Sequence, residues 1–264
     1  MKKIFSIFTL ALLMLSFTAC NDNDDEDQQV YKIQGQMLNN SVNISSGESE
    51  KVATSMINIV WKALESKISI NYTVDVTNGN TVTVSLQDVD INPDNTYNCY
   101  RFSAANGGNG ITNLNGFYRP ETGCMYIEFI ANGTHRVMSI AQMYYPYLKF
   151  TFTNSETGAS KESQNGQMAI SIDPSDMSAQ LAIGNFALSE ESGIITQAVF
   201  YGLHAEATST GYKITYSGDQ RSTDGSYVLN EFEANITGSG QVVNGTITIN
   251  SKYNGTYSGK AFAN

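Results

Sequence analysis

The chain has 264 residues, with 15 Lys and Arg against 25 Asp and Glu and a formal net charge of -10. That balance argues against nucleic acid as a partner, because phosphate binding needs clustered Lys and Arg. Four Pro, 22 Gly and 15 Tyr, with many Thr, Asn and Ser, point to an all-β protein with tight turns.

Lys2 and Lys3 precede an apolar run from Ile4 to Leu15 that is too short for a permanent membrane helix. Thr18 and Ala19 then lead into Cys20, so residues 1–19 read as a signal peptide. The stretch resembles the bacterial lipobox, which implies that Cys20 becomes the mature N-terminus and carries the lipid; Phe17 stands where that pattern usually has Leu. Losing Lys2 and Lys3 would move the net charge from -10 to -12. Residues 20–30 read as a tether, because Asp22, Asp24, Asp25, Glu26 and Asp27 repel one another and bury no apolar surface. Acidic residues directly behind an acylated Cys resemble the surface-export signal of Bacteroidetes lipoproteins. The resemblance implies an outer-membrane protein facing the exterior, touching the membrane through its lipid.

The folded part divides at 154–166, TNSETGASKESQNG within 153–166, where no large apolar residue occurs and a linker is expected. Upstream, 31–153 reads as a β domain with one helix over 48–66, where Val52, Met56, Ile59, Val60 and Ala63 recur at three-to-four spacing. Trp61 falls on that helix, either as a platform for a sugar ring or as an anchor on the β core. Ile68, Ile70, Tyr72, Val74 and Val76 then alternate with polar residues, Asn78-Gly79 signals a hairpin, and Val82, Val84 and Leu86 return. Val89 and Ile91 resume out of phase, which predicts a bulge near Gln87-Asp88. Further turns are expected at Pro120–Gly123, Asn132-Gly133, Asp173–Asp176, Ser209–Gly211 and Asn244-Gly245.

Residues 167–264 carry LAIGNFAL, AVFYGLHAEATSTGYKITYSG and ANITGSGQVVNGTITINSKYNGTYSG in that order. In order and texture they resemble the calycin-like β-barrel domain of many Bacteroidetes lipoproteins. The resemblance implies a small antiparallel barrel, with the N-terminal half a divergent second copy, and implies no activity. The expected fold is therefore all-β: antiparallel calycin-like barrels or sandwiches, two in tandem.

Few residues suggest chemistry. No HxH, HExxH, CxxC, GxSxG or phosphate-cradling Gly-Lys loop occurs, so neither a metal site nor a catalytic centre is expected. His135 follows a turn and is expected to be exposed; His204 lies in a strand and reads as a hydrogen-bonded structural residue. Asp88, Asp90, Asn92 and Asp94 alternate like calcium ligands, but Pro93 occupies the place of the required Gly. Nothing pairs two carboxylates for glycoside hydrolysis. Alternation places Cys99 and Cys124 on the outer faces of their strands, as a disulfide or as two thiols. In MYYPYLKFTF, Leu148, Phe150 and Phe152 share one face and Tyr147 takes the other. Tyr147, Tyr145 and Trp61 are the ligand-contact candidates. The expected function is a non-enzymatic surface lipoprotein without cofactor, binding a glycan or a small apolar ligand; the alternatives are a subunit docking on an outer-membrane protein and, last, an unrecognised hydrolase.

Overall fold

A computed structural model of the chain describes residues 18–20, 29–95, 99–120, 123–141, 143–237 and 242–261. All the regular elements among them are strands, in two compact units that divide at residue 142.

The first unit holds β1 (Thr18–Cys20), β2 (Val30–Asn43), β3 (Ser49–Lys62), β4 (Lys67–Thr77), β5 (Asn80–Asp90), β6 (Asn92–Asp94), β7 (Cys99–Gly108), β8 (Ile111–Arg119), β9 (Cys124–Ala131) and β10 (His135–Ala141). The sheet order is β5-β4-β3-β2-β10-β9-β8-β7-β6, with β1 on β2. β5 and β6 are one run of chain interrupted at Ile91; the first part pairs with β4 and the second with β7. The sheet therefore rolls into a barrel whose ends meet along this broken strand. At the far end of the seam, a Cβ on Gly108 would sit 2.3 Å from the Thr83 carbonyl oxygen, so β7 closes onto β5 only because that residue is glycine.

The alternation in β4 and β5 follows the sequence: Ile68, Ile70, Tyr72, Val74, Val76, Val82, Val84 and Leu86 all enter the core. Asn78 and Gly79 both have positive φ, as the tight hairpin requires. The register slips between Ile68–Val89 and Ile70–Leu86, with Asp88 at φ 47°, which is the expected bulge.

The expected helix over 48–66 is instead β3 and its turn. Ile57 and Ile59 point inward beside Ile33 and Ile70. Further up, the same inward face carries Ser55 and Ala53, next to the buried Asn39, whose amide donates to the Ser55 hydroxyl (2.8 Å). Small and polar residues on an inner face erase the apolar alternation that marks a strand, leaving a chance helical spacing.

The second unit holds β11 (Met143–Asn154), β12 (Ser160–Asp173), β13 (Ser178–Gly184), β14 (Ala198–Thr208), β15 (Gly211–Arg221), β16 (Val228–Thr237), β17 (Val242–Ile249) and β18 (Tyr253–Lys260). Each pairs with the next and β18 returns to β11, closing an eight-stranded barrel. This is the small antiparallel barrel that the C-terminal resemblance implies, but it begins at 143. Residues 154–166 are not a linker: they turn the β11–β12 hairpin and form the start of β12. Polar residues suit that role because the start of β12 is largely exposed.

The interior of this barrel is filled by rings. Phe150 and Phe152 lie 4.9 and 5.3 Å from Phe186, and Tyr257 stacks on Phe232 at 5.8 Å. Each such buried ring contributes about 1.5–3 kcal/mol by leaving water. Facing glycines make room: Gly255 is opposite Phe152 in register, and a Cβ there would lie 2.5 Å from the ring. Asn244-Gly245 is likewise not a turn. β17 runs straight through it, and Gly245 is needed because a Cβ would lie 1.8 Å from the Glu233 carbonyl oxygen.

Candidate functional site

The first barrel has two unlike ends. At one, the buried His135 of β10 meets polar groups at the rim: its Nε2 lies 2.8 Å from the exposed Glu50 of β3 and its Nδ1 2.9 Å from the Thr134 hydroxyl. Asn43 donates to the other Glu50 oxygen, and these bonds, that of His135 foremost, hold the Glu50 carboxyl below its ordinary range. His135 is buried, contrary to its expected exposure, because the ladder resumes directly after the Asn132-Gly133 turn and points it inward with Val137.

At the other end, where β2 begins, the plug is aromatic. Trp61 on β3 stacks on Tyr31 of β2 (5.1 Å, 28°), tilts against Tyr100 of β7 (5.7 Å) and meets Tyr118 of β8 edge-on (6.0 Å, 82°). The pairing is dictated by register: Tyr31 faces Trp61, and Tyr100 faces Tyr118. The indole N–H is buried and has no hydrogen-bond partner among the described residues. Burial pushes the Tyr118 phenol well above its ordinary range, so it stays neutral.

Beside this plug lies a cavity of about 230 Å³ lined by Trp61, Pro93, Asp94, Asn95, Cys99, Tyr100, Arg119 and Pro120. Asp94 is ion-paired to Arg101, whose guanidinium also covers the Phe117 ring at 4.5 Å. Across β6 a second, more open cavity of about 400 Å³ is bounded by Val89, Asp90, Asn92, Arg101, Ser103, Asn115 and Phe117, with Phe102 and Gly116 at its floor. The Asp94–Arg101 pair joins the two: Asp94 belongs to one cavity and Arg101 to the other. Gly116 is opposite Phe102, and a Cβ there would lie 2.1 Å from that ring, so the floor depends on glycine.

The arrangement offers aromatic walls, a carboxylate, a guanidinium and an amide at one barrel end. Asp94 is the one carboxylate in the smaller cavity. Asp88, Asp90 and Asp94, which alternate in sequence, are divided among Lys62, Lys67 and Arg101.

Of the ligand candidates, only Trp61 lies at either cavity, and it does so from a strand rather than a helix. Tyr147 is 47% exposed on the outer face of β11, with Leu148, Phe150 and Phe152 pointing inward. Tyr145 is fully buried inside the second barrel and cannot serve as a surface contact. The register slip between Tyr145 and Leu148, around Pro146, moves it to the inner face.

Cys99 and Cys124 are buried thiols rather than surface residues. They occupy one cross-strand row with Arg119 of β8 between them. Two strand spacings are about 9.6 Å, beyond the roughly 7 Å that a disulfide spans. Burial, followed by the nearby Asp94 charge, pushes the Cys99 thiol up to about 11. His204 lies in a strand, as expected, and is exposed on β14 between the inward Leu203 and Ala205.

No family model and no curated protein matches the chain. Among solved structures it is similar to the isotype 1 transferrin binding protein B of serogroup B Neisseria meningitidis, with 8% identity and a TM-score of 0.26. The likeness covers 88% of this chain and 63% of that one, so the chain spans under two thirds of that protein's length.

The Asn95, Tyr100 and Arg119 positions carry no sequence signal, and Asp94 stands out only as the last of the alternating polar residues from Asp88. They come from separate segments that only the barrel closure at β6 brings together. The dense aromatics of Tyr144–Phe152 drew attention instead, and most of them build the second core.

Proposed function

We propose that this is a lipid-anchored outer-membrane protein, facing the exterior, that binds a saccharide without transforming it, and that the Trp61 cavity is the binding site. The observation that carries the reading is the meeting of the Trp61 and Tyr100 rings with Asp94, Asn95 and Arg119 around one cavity. Saccharides present apolar ring faces to aromatics and hydroxyls to charged and amide groups, which need both kinds of wall together. An apolar ligand held inside a barrel is less favoured, because rings already occupy the second interior. Hydrolysis is less favoured because two carboxylates must flank the scissile bond, and Asp94 stands alone and paired.

The test is a glycan array probed with the full chain from residue 20 carrying Cys20→Ser, beside the same chain with Asn95→Ala. Asn95 is exposed at the cavity, so its loss leaves the fold intact. Saccharide binding weakened about tenfold by Asn95→Ala, a difference near 1.4 kcal/mol, supports the reading. Binding indifferent to Asn95, or absent across the array, refutes it. Anchoring is tested by Cys20→Ala, which should release the protein from membranes.

A further inference from the structure

The two cavities joined by the Asp94–Arg101 pair are consecutive on the outer face of β6, β7 and β8, and register sets their spacing. Asp94 is opposite Cys99, and Asn92 is opposite Arg101. Arg101 is opposite Phe117, and Ser103 is opposite Asn115. Cys99, Arg101 and Ser103 alternate along β7 and so share one face. Successive rows therefore stand about 6.7 Å apart along the strands, and the strands lie about 4.8 Å apart. The smaller cavity lies at the Asp94–Cys99 row, and the larger at the two rows that follow. End to end they make a track about 13 Å long and about 10 Å wide.

The larger cavity exists because the wall parts there. β6 pairs with β7 only as far as Arg101, and among the described residues no ladder joins β7 to β5 beyond it. Val89 and Asp90 form one bank, Ser103 forms the other, and the Phe102 ring lies below. The close approach of Gly108 to Thr83 shuts the gap at its far end. It is a pit pinned at both ends, not a sheet edge open to an added strand. Its side chains suit neutral hydroxyls. Asn92, Ser103 and Asn115 are exposed and carry both donors and acceptors. Its charges are already matched, Asp90 with Lys67 at 2.5 Å and Arg101 with Asp94. Arg101 is also held over the Phe117 ring at 4.5 Å, so this wall is in place before a ligand arrives.

We infer that the ligand is a neutral oligosaccharide lying along this track, with its end at Trp61 and its next sugars over Arg101, Ser103 and Asn115. The inference rests on the saccharide reading and adds chain length and charge. Size decides the length. At about 230 Å³ the smaller cavity falls below the roughly 300–1,000 Å³ of ordinary ligand sites, and the larger one, at about 400 Å³, brings the track within that range. Charge decides the class. A sugar bearing a carboxylate needs a cation, and Arg101, the one cation among the described residues lining the larger cavity, already holds Asp94.

The experiment titrates the chain from residue 20 with Cys20→Ser on an array of sugar ladders, each running from the single sugar to the hexasaccharide. Glucan, mannan, xylan and galactan supply the neutral ladders and galacturonan the anionic one. The expected result is a neutral ladder on which affinity rises about tenfold from disaccharide to tetrasaccharide. Ser103→Ala combined with Asn115→Ala abolishes that rise, while disaccharide binding stays as in the parent and still needs Asn95. The unchanged disaccharide shows that the double variant is folded. If affinity does not rise with length while Asn95→Ala still weakens binding, the saccharide reading stands and the track falls. A rise that survives the double variant, or galacturonan bound more tightly than every neutral ladder, likewise overturns the inference alone. An array silent for every sugar removes the saccharide reading itself, and this inference with it.

Discussion

Replacing Trp61 separates what its rings do from what its unpartnered N–H does. Truncating a buried Trp to Ala removes about 3–5 kcal/mol. Here the side chain borders a cavity and is only half-buried, so the lower end applies. Removing a buried donor that lacks a partner returns about 1–3 kcal/mol. Trp61→Ala should therefore cost about 2 kcal/mol, whereas Trp61→Phe keeps a ring against Tyr31 and loses the N–H, so it should stay within about 1 kcal/mol of the parent. With a urea slope of about 2 kcal/mol/M, the Ala variant shifts the midpoint of the first barrel by about 1 M. Sheet circular dichroism is the signal, because Trp61 is the sole tryptophan and both variants lose its emission. If Trp61→Phe destabilises as much as Trp61→Ala, the indole N–H has a partner in solution and the packing argument fails.

Gly116→Ala and Gly255→Ala each place a methyl inside a facing ring and should cost about 2 kcal/mol by overpacking, whereas Gly193→Ala, with open space around it, should be neutral in the same urea titration. Acid should destabilise the protein below about pH 4. Glu50, Glu162, Asp176 and Asp224 all have folded values depressed by hydrogen bonds. The unfolded chain takes up their protons first, so stability present above the ordinary carboxyl range is lost as pH falls through the folded values. Asp224→Asn should flatten that acid limb, and an unchanged limb would exclude its contribution. Cys124 should react with a maleimide reagent only on unfolding, and a disulfide-dependent band joining it to Cys99 in proteolytic fragments on a non-reducing gel would contradict the strand spacing.

The fold was legible where one face of a strand is uniformly apolar. β4 and β5 show it best, with their Asn-Gly turn and the bulge at Asp88, because polar and apolar residues from Ile68 to Leu86 follow the pleat on both sides of the turn. β3 was illegible because its inward face changes from Ile57 and Ile59 to Ser55 and Ala53 halfway along, and the same change puts Asn39 in the interior. Asn244-Gly245 has the composition of a turn, but its glycine answers a close approach to Glu233 that only the neighbouring strand creates. Tyr145 turns inward although it stands two residues before the outward Tyr147, because a slip at Pro146 inverts the alternation within one strand. For the site, one aromatic of the cavity carried a signal in isolation. The charged and amide groups beside it acquire meaning only from the broken strand at Ile91, which turns β6 across to β7.

The most direct measurement is the emission of Trp61 during titration with whichever oligosaccharide binds on the array. Because no other tryptophan is present, the signal reports the cavity alone. The expected result is a saturable change in Trp61 emission whose midpoint matches the calorimetric Kd and moves about tenfold with Asn95→Ala. Calorimetric binding with no change in that emission would place the saccharide elsewhere and contradict the proposed site.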